Sequence, residues 1–92
     1  MVTAAQHQAL VVSAIDAKVE ELAKARGYNS AATLASYVAS TNAAWAAEAT
    51  AFVAWRDQVW QDAYACLAEV EAGNRAMPSV SEALAMIPAI EW

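Results

Sequence analysis

The chain has 92 residues, of which 26 are alanine, and its ten acidic and five basic side chains give a formal net charge of −5. With only two glycines and two prolines, this composition predicts a single, overwhelmingly helical domain over residues 1–92. Because the sequence has no stripe of basic residues, binding to nucleic acid or to an anionic membrane surface is disfavoured. No uninterrupted apolar run approaches the roughly 20 residues that a membrane-spanning helix needs.

The first helix is predicted over residues 4–26, because apolar residues recur there at helical spacing. The stripe comprises Val11, Val12, Ile15, Val19 and Leu22. Gly27 follows a basic last turn, so we expect it to close the helix in the left-handed conformation. Val2 and Leu10 fall off the stripe and indicate a second contact surface near the N-terminus.

Two further helices are predicted before the next glycine. Ser30 or Asn29 is expected to cap a short helix over residues 31–39. A long helix over 43–72 then has no breaker until Gly73. On a helical wheel, one broad face of that helix collects Trp45, Ala49, Phe52, Val59, Trp60, Ala63, Leu67 and Val70.

A fourth, short helix is predicted over residues 80–86, since Ser79 and Glu82 form the pattern of a capping box and Pro88 stops the helix. The fold class is therefore all-α: two long antiparallel helices (4–26 and 43–72), with two short helices covering the ends of a small helical bundle. Alanine-rich faces bury little area per residue, so the monomer core is thin. That shortage favours a homodimer or higher oligomer.

Three residues are candidates for contact with a partner: Trp55, Arg56 and Trp92. Trp55 lies towards the flank of the apolar face of its helix. Arg56 lies inside that face, where it could pair with a partner's carboxylate or stack on Trp60. The alternative, which we favour, is that its stem covers apolar surface while its head meets water or an acid of the same fold. Trp92 is either a flexible end or a docked anchor, and we expect a docked tail.

No catalytic, cofactor or metal site is predicted. His7 is the one histidine and has no cysteine or acid at ligand spacing. Cys66 is the one cysteine, which suits a reducing compartment, and is expected to be an inert buried thiol. Glu48 and Asp62 lie on one helix at a spacing of about 20 Å, too far apart for paired acid–base catalysis. We therefore expect the protein not to be an enzyme.

Several strings of the sequence resemble a family of uncharacterised bacteriophage and prophage helical domains, which are found in tail-fibre or tail-associated proteins. They include Gly27-Tyr28-Asn29-Ser30, Ser40-Thr41-Asn42, the Trp45–Trp60 block and Pro78-Ser79-Val80. The resemblance covers roughly residues 15–92. The sequence departs from the family pattern at Ala43, where a proline is expected, and at Ala76, where an apolar residue or proline is expected.

This resemblance implies a phage origin and a structural or tail-assembly role, and it brings no catalytic residues. The expected function is helix-mediated protein–protein interaction, with this chain itself and phage tail proteins as partners. The expected location is the bacterial host cytoplasm during assembly, with the virion as a second location. The alternative is a small cytosolic prophage regulatory or inhibitor protein that binds a host protein through an acidic face.

Overall fold

A computed structural model describes residues 3–92, so the predicted contact residue Val2 lies outside the described part of the chain. The described residues form four α-helices and one short 3₁₀ helix, with no strand among them. The α-helices are α1 (Ala4–Ala25), α2 (Ala31–Ala35), α3 (Ala43–Glu71) and α4 (Val80–Ala85), and the 3₁₀ helix is Ser36–Ala39. The all-helical class with two long helices is confirmed.

Side chains and glycines end the helices close to the predicted positions. The Thr3 hydroxyl accepts from the Gln6 backbone N–H at 3.1 Å and caps α1. Gly27 has a φ of +100°, the left-handed conformation expected just beyond the α1 C-terminus. At α4, Ser79 Oγ accepts from the Glu82 N–H and Glu82 Oε1 accepts from the Ser79 N–H, each at 3.1 Å. This is the predicted capping box.

The predicted helix over 31–39 is α-helical only in its first half. Ser30 caps α2, and the Ala31 N–H also donates to Glu20 Oε1 of α1 at 3.0 Å. The chain then tightens into the 3₁₀ helix at Ser36, whose hydroxyl donates to the Thr33 carbonyl oxygen at 2.6 Å. A hydroxyl bonded to the preceding turn competes with regular α-helical geometry, which accounts for the change.

The core is small and lies in the middle of the molecule. Helix α1 contributes four buried residues at regular four-residue spacing: Val11, Ile15, Val19 and Ala23. Helix α3 contributes Ala49, Phe52, Trp55 and Val59, while Leu34 and Ala83 complete the cluster from α2 and α4. Three of these ten residues are alanines. The expectation of a thin core therefore agrees with the residues that are buried.

The C-terminal tail folds back over α3 and buries Trp55. The indole Nε1 of Trp55 donates a hydrogen bond to the Pro88 carbonyl oxygen at 2.8 Å, and Ile90 packs against the core. Trp55 is only 8% exposed. The helical wheel places Trp55 towards the flank of the apolar face of α3, and in the folded chain the returning tail covers that flank.

The molecule is elongated, with principal dimensions of 48 × 23 × 18 Å. Its long dimension reflects α3, whose 29 residues extend for about 43 Å at 1.5 Å per residue. Among residues 3–92, no helix is both long and apolar enough to cross a membrane.

Candidate protein-interaction surface

An open apolar groove runs between the first half of α1, the second half of α3 and the segment that contains α4. The groove is partly open to solvent, and its cavity volume is about 80 Å³. Its walls include Val12 and Ile15 from α1, Trp60, Tyr64 and Leu67 from α3, and Met77, Met86 and Ile87 from the C-terminal segment. We call this surface the apolar groove. Most of the residues that line it are apolar.

The α3 wall of the groove is a helical stripe that the monomer does not bury. The last buried residue of α3 is Val59, so none of residues 60–71 is buried. Yet Trp60, Tyr64 and Leu67 recur in this segment at helical spacing, and Tyr64 is 66% exposed. A helical segment of this kind usually draws its stability from tertiary packing of its apolar face. Here that packing is incomplete within one chain.

Exposed apolar side chains also stand on the two other walls of the groove. Val12 of α1 is 44% exposed and Met86, just beyond α4, is 45% exposed. Leu10, which the sequence assigns to a second contact surface, is 53% exposed on the same half of α1. Contiguous exposed apolar surface on a small protein is typical of an interaction site, whereas single exposed residues are ordinary.

The groove is almost free of charge, although the chain as a whole is acidic. Among the described residues that line it, Asp62 alone carries a charge, and Asp62 accepts a hydrogen bond from Gln58 Nε2 at 2.7 Å. Residues 4–15 and 63–68 contain no aspartate, glutamate, lysine or arginine. Depletion of charge at the centre of a patch is the compositional mark of a protein–protein interface.

Cys66 lies on the groove and is only partly buried. The prediction of a buried thiol is therefore wrong in degree. As with Trp60 and Leu67, the rest of the chain covers this part of α3 only in part. The accessibility of its thiol therefore depends on whether the groove is open or covered.

A second surface joins the end of α1 to the beginning of α3. The rings of Tyr28 and Tyr37 lie 5.8 Å apart, and those of Tyr37 and Trp45 lie 5.5 Å apart in an edge-on arrangement. Arg26 Nε donates to Glu48 Oε2 beside them. We call these residues the aromatic cluster.

The aromatic cluster changes the chemistry of one of its own members. Partial burial raises the pKa of Tyr28 above its ordinary value of 10.0, and the negative charge of Glu48 and the neighbouring Tyr37 act in the same direction. Arg26 lowers it. The Tyr28 hydroxyl is therefore neutral at physiological pH.

The three predicted contact residues lie in three different settings. Trp55 is buried under the tail, as described above. Arg56 is partly exposed and its Nη2 donates to Asp57 Oδ1 at 3.0 Å, so its head meets an acid of the same helix. Trp92 is 39% exposed and the guanidinium carbon of Arg26 lies 4.6 Å from its ring centroid. None of the three is among the residues that line the apolar groove.

The sequence did not identify the residues that do form the groove. Trp60 and Leu67 were assigned to the inner face of α3, and Tyr64 was not singled out. Two features of the sequence could have indicated this surface. Residues 63–68 carry no charge, and α3 is longer than α1, which has 22 residues. Within residues 3–92 no group of histidine, cysteine, aspartate and glutamate side chains is arranged to hold a metal ion.

Comparison of this chain with protein-family models, with curated proteins and with solved structures finds no match.

Proposed function

We propose that this protein is a small helical interaction module, and that it works in a phage or prophage particle as a structural or tail-assembly component. The observation that carries the first part is the apolar groove. It is concave and nearly uncharged, and it is lined by large side chains that one chain leaves exposed. Its partners are proteins: a further copy of this chain and phage tail proteins.

We infer that α1 and α3 run antiparallel, an arrangement that suits this role. Arg26, at the end of α1, pairs with Glu48 near the beginning of α3. The first half of α1 faces the second half of α3 across the apolar groove. An antiparallel pair of long helices presents one continuous face, which a partner helix can complete into a bundle.

The phage assignment rests on the sequence resemblance alone, chiefly the Trp45–Trp60 block. Four residues of that block belong to the buried core: Ala49, Phe52, Trp55 and Val59. The groove residues Tyr64 and Leu67 lie just beyond it on the same helix. The resemblance therefore supports a common scaffold, and the groove supports an interaction that this scaffold presents.

Co-purification from phage-producing cells tests the proposal. A tagged chain is expected to bring down tail or tail-fibre proteins in stoichiometric amounts. A matched variant, Tyr64→Glu, is expected to lose them, because a charge in an apolar groove opposes docking.

A second variant, Val38→Glu, provides the control, since Val38 is 47% exposed but lies outside the groove. Stoichiometric capture of a host regulatory protein instead would favour the alternative inhibitor role. Equal capture by both variants would contradict the groove as the interaction surface.

A further inference from the structure

We propose that the apolar groove is covered by a second copy of this chain, in a two-fold symmetric dimer that α1 and α3 of each copy build into a four-helix bundle. The inference rests on the proposed function in one respect, because both assign protein binding to this groove. It goes further by committing the groove to a second copy, by giving the two-fold symmetry of the pairing and by naming the helix segment that enters.

Charge is the first argument for a second copy. The chain carries a net charge of −5, so most faces of two copies repel one another. A two-fold interface sets each patch against the same patch of the partner, and like charges placed opposite one another oppose association. The apolar groove is a face where two such acidic chains meet with little repulsion, since Asp62 is the one charged residue among its described lining residues.

Charge also counts against other occupants. A basic partner would be recognised by acidic side chains, and Asp62 is the one of the ten acidic residues that is among the described lining residues of the groove. The groove offers such a partner only Asp62, which is already bonded to Gln58. The occupant that fits is therefore an uncharged helix with large apolar side chains.

This chain itself presents such a helix, directly beside the groove. Residues 60–71 of α3 contain no buried residue and carry Trp60, Tyr64 and Leu67 along one side. Each copy thus supplies both an open groove and a helix edge suited to fill it. That is the self-complementarity that a two-fold interface requires.

The thin monomer core gives an independent reason for such a dimer. Only ten residues of the described chain form the buried apolar core, and Phe52 and Leu34 are its largest fully buried side chains. A domain of this size buries a small share of its surface and often gains stability by association. Covering Tyr64, Val12 and Met86 would extend the core along the unburied half of α3.

The experiment is measurement of the mass in solution by sedimentation equilibrium over a dilution series. The wild-type chain of 9.7 kDa is expected at twice that mass. Tyr64→Glu and Met86→Glu change opposite walls of the groove and are each expected to raise the dimer dissociation constant at least tenfold. Val38→Glu, at an exposure of 47% close to that of Met86 at 45%, is expected to leave it unchanged.

Circular dichroism shows whether each variant is still helical. In the wild-type chain, the rate at which Cys66 reacts with a thiol reagent measures how far the groove is covered. Cys66 is expected to react more slowly as protein concentration rises, because the partner covers the groove. Three results would overturn the inference: a wild-type monomer at every concentration, a dimer that both groove variants leave intact, or a dimer that Val38→Glu dissociates equally.

Failure of this inference and failure of the proposed function are distinguishable. A monomer that binds a tail protein through Tyr64 overturns the second-copy occupant and supports the tail-assembly role. A dimer that Tyr64→Glu dissociates, with no tail protein captured, supports the inference and contradicts that role.

Discussion

The indole nitrogen of Trp55 and the carbonyl oxygen of Pro88 are joined by a hydrogen bond of 2.8 Å, which ties the middle of α3 to the C-terminal tail. The two residues are 33 positions apart in sequence. The bond places Trp55 in the core, and it fixes the tail along one side of the molecule. The apolar groove is lined in part by residues just before this attachment, Met86 and Ile87.

Replacement of Trp55 by Phe removes this hydrogen bond and part of the buried ring. We expect the free energy of unfolding to fall by about 1–3 kcal/mol, as is usual when a bonded polar group loses its partner and a core side chain shrinks. Unfolding by denaturant measures this change in the free energy of unfolding. Trp45→Phe is the matched control, because Trp45 is 48% exposed and its contact with Tyr37 needs only a ring. Equal losses in the two variants would contradict the structural role of Trp55.

Replacement of Trp92 by Ala removes the ring beneath Arg26. The guanidinium carbon lies 4.6 Å from the ring centroid and both residues are solvent-exposed, so we expect a loss of only about 0.5–1 kcal/mol in the free energy of unfolding. Trp92→Tyr keeps an aromatic ring beneath Arg26, and this variant should retain most of the stabilisation. A loss as large as that for Trp55→Phe would instead show that the tail end is part of the core.

Replacement of Arg56 by Met tests the role of the positive charge on the apolar side of α3. Its observed partner is Asp57, the next residue on the same helix, and both side chains are substantially exposed. Exposed ion pairs contribute little to stability. We therefore expect the free energy of unfolding, obtained from thermal unfolding, to change by less than about 1 kcal/mol, and the oligomeric state to stay the same. Loss of assembly with an unchanged monomer fold would show that Arg56 contacts a partner.

The capping box of α4 makes one part of the stability depend on pH. Hydrogen bonds with Ser79 lower the pKa of Glu82 from its ordinary value of 4.5, with a smaller contribution from Arg75. Because the folded state binds this proton less readily than the unfolded chain, the contribution is fully present above pH 4.5 and is lost as pH falls through the lowered pKa.

We therefore expect Glu82→Gln, which keeps an acceptor oxygen but cannot ionise, to lose less stability than the wild-type chain between neutral and acid pH. Thermal unfolding across that range measures the difference. Identical acid sensitivity in the two proteins would contradict the assignment of this proton to the α4 cap.

Much of the secondary structure could be predicted from the sequence, because local chemistry decides it. Gly27 ends α1 through its own conformational freedom, and Ser79 with Glu82 starts α4 through bonds made within four residues. The change to a 3₁₀ helix at Ser36 was not predicted. It depends on a hydroxyl bond to the preceding turn, and the same residue types also occur in regular helices.

The groove could not be predicted, since it depends on what covers each helix face. Trp55 and Trp60 are five residues apart on one helix, yet the tail covers the first and leaves the second on an open groove. The wheel identified an apolar face on α3 that extends to Val70. It could not show that the other helices of the chain bury only the part of that face up to Val59.

Hydrogen exchange of residues 60–71 as a function of protein concentration tests most directly whether the apolar groove is an interaction surface between chains. These residues form the unburied half of α3, so in a monomer their amides should exchange far faster than those around Phe52. We predict that their protection rises towards that of the core as concentration increases, and that Tyr64→Glu abolishes the rise. Protection of residues 60–71 that stays the same at all concentrations would contradict the account.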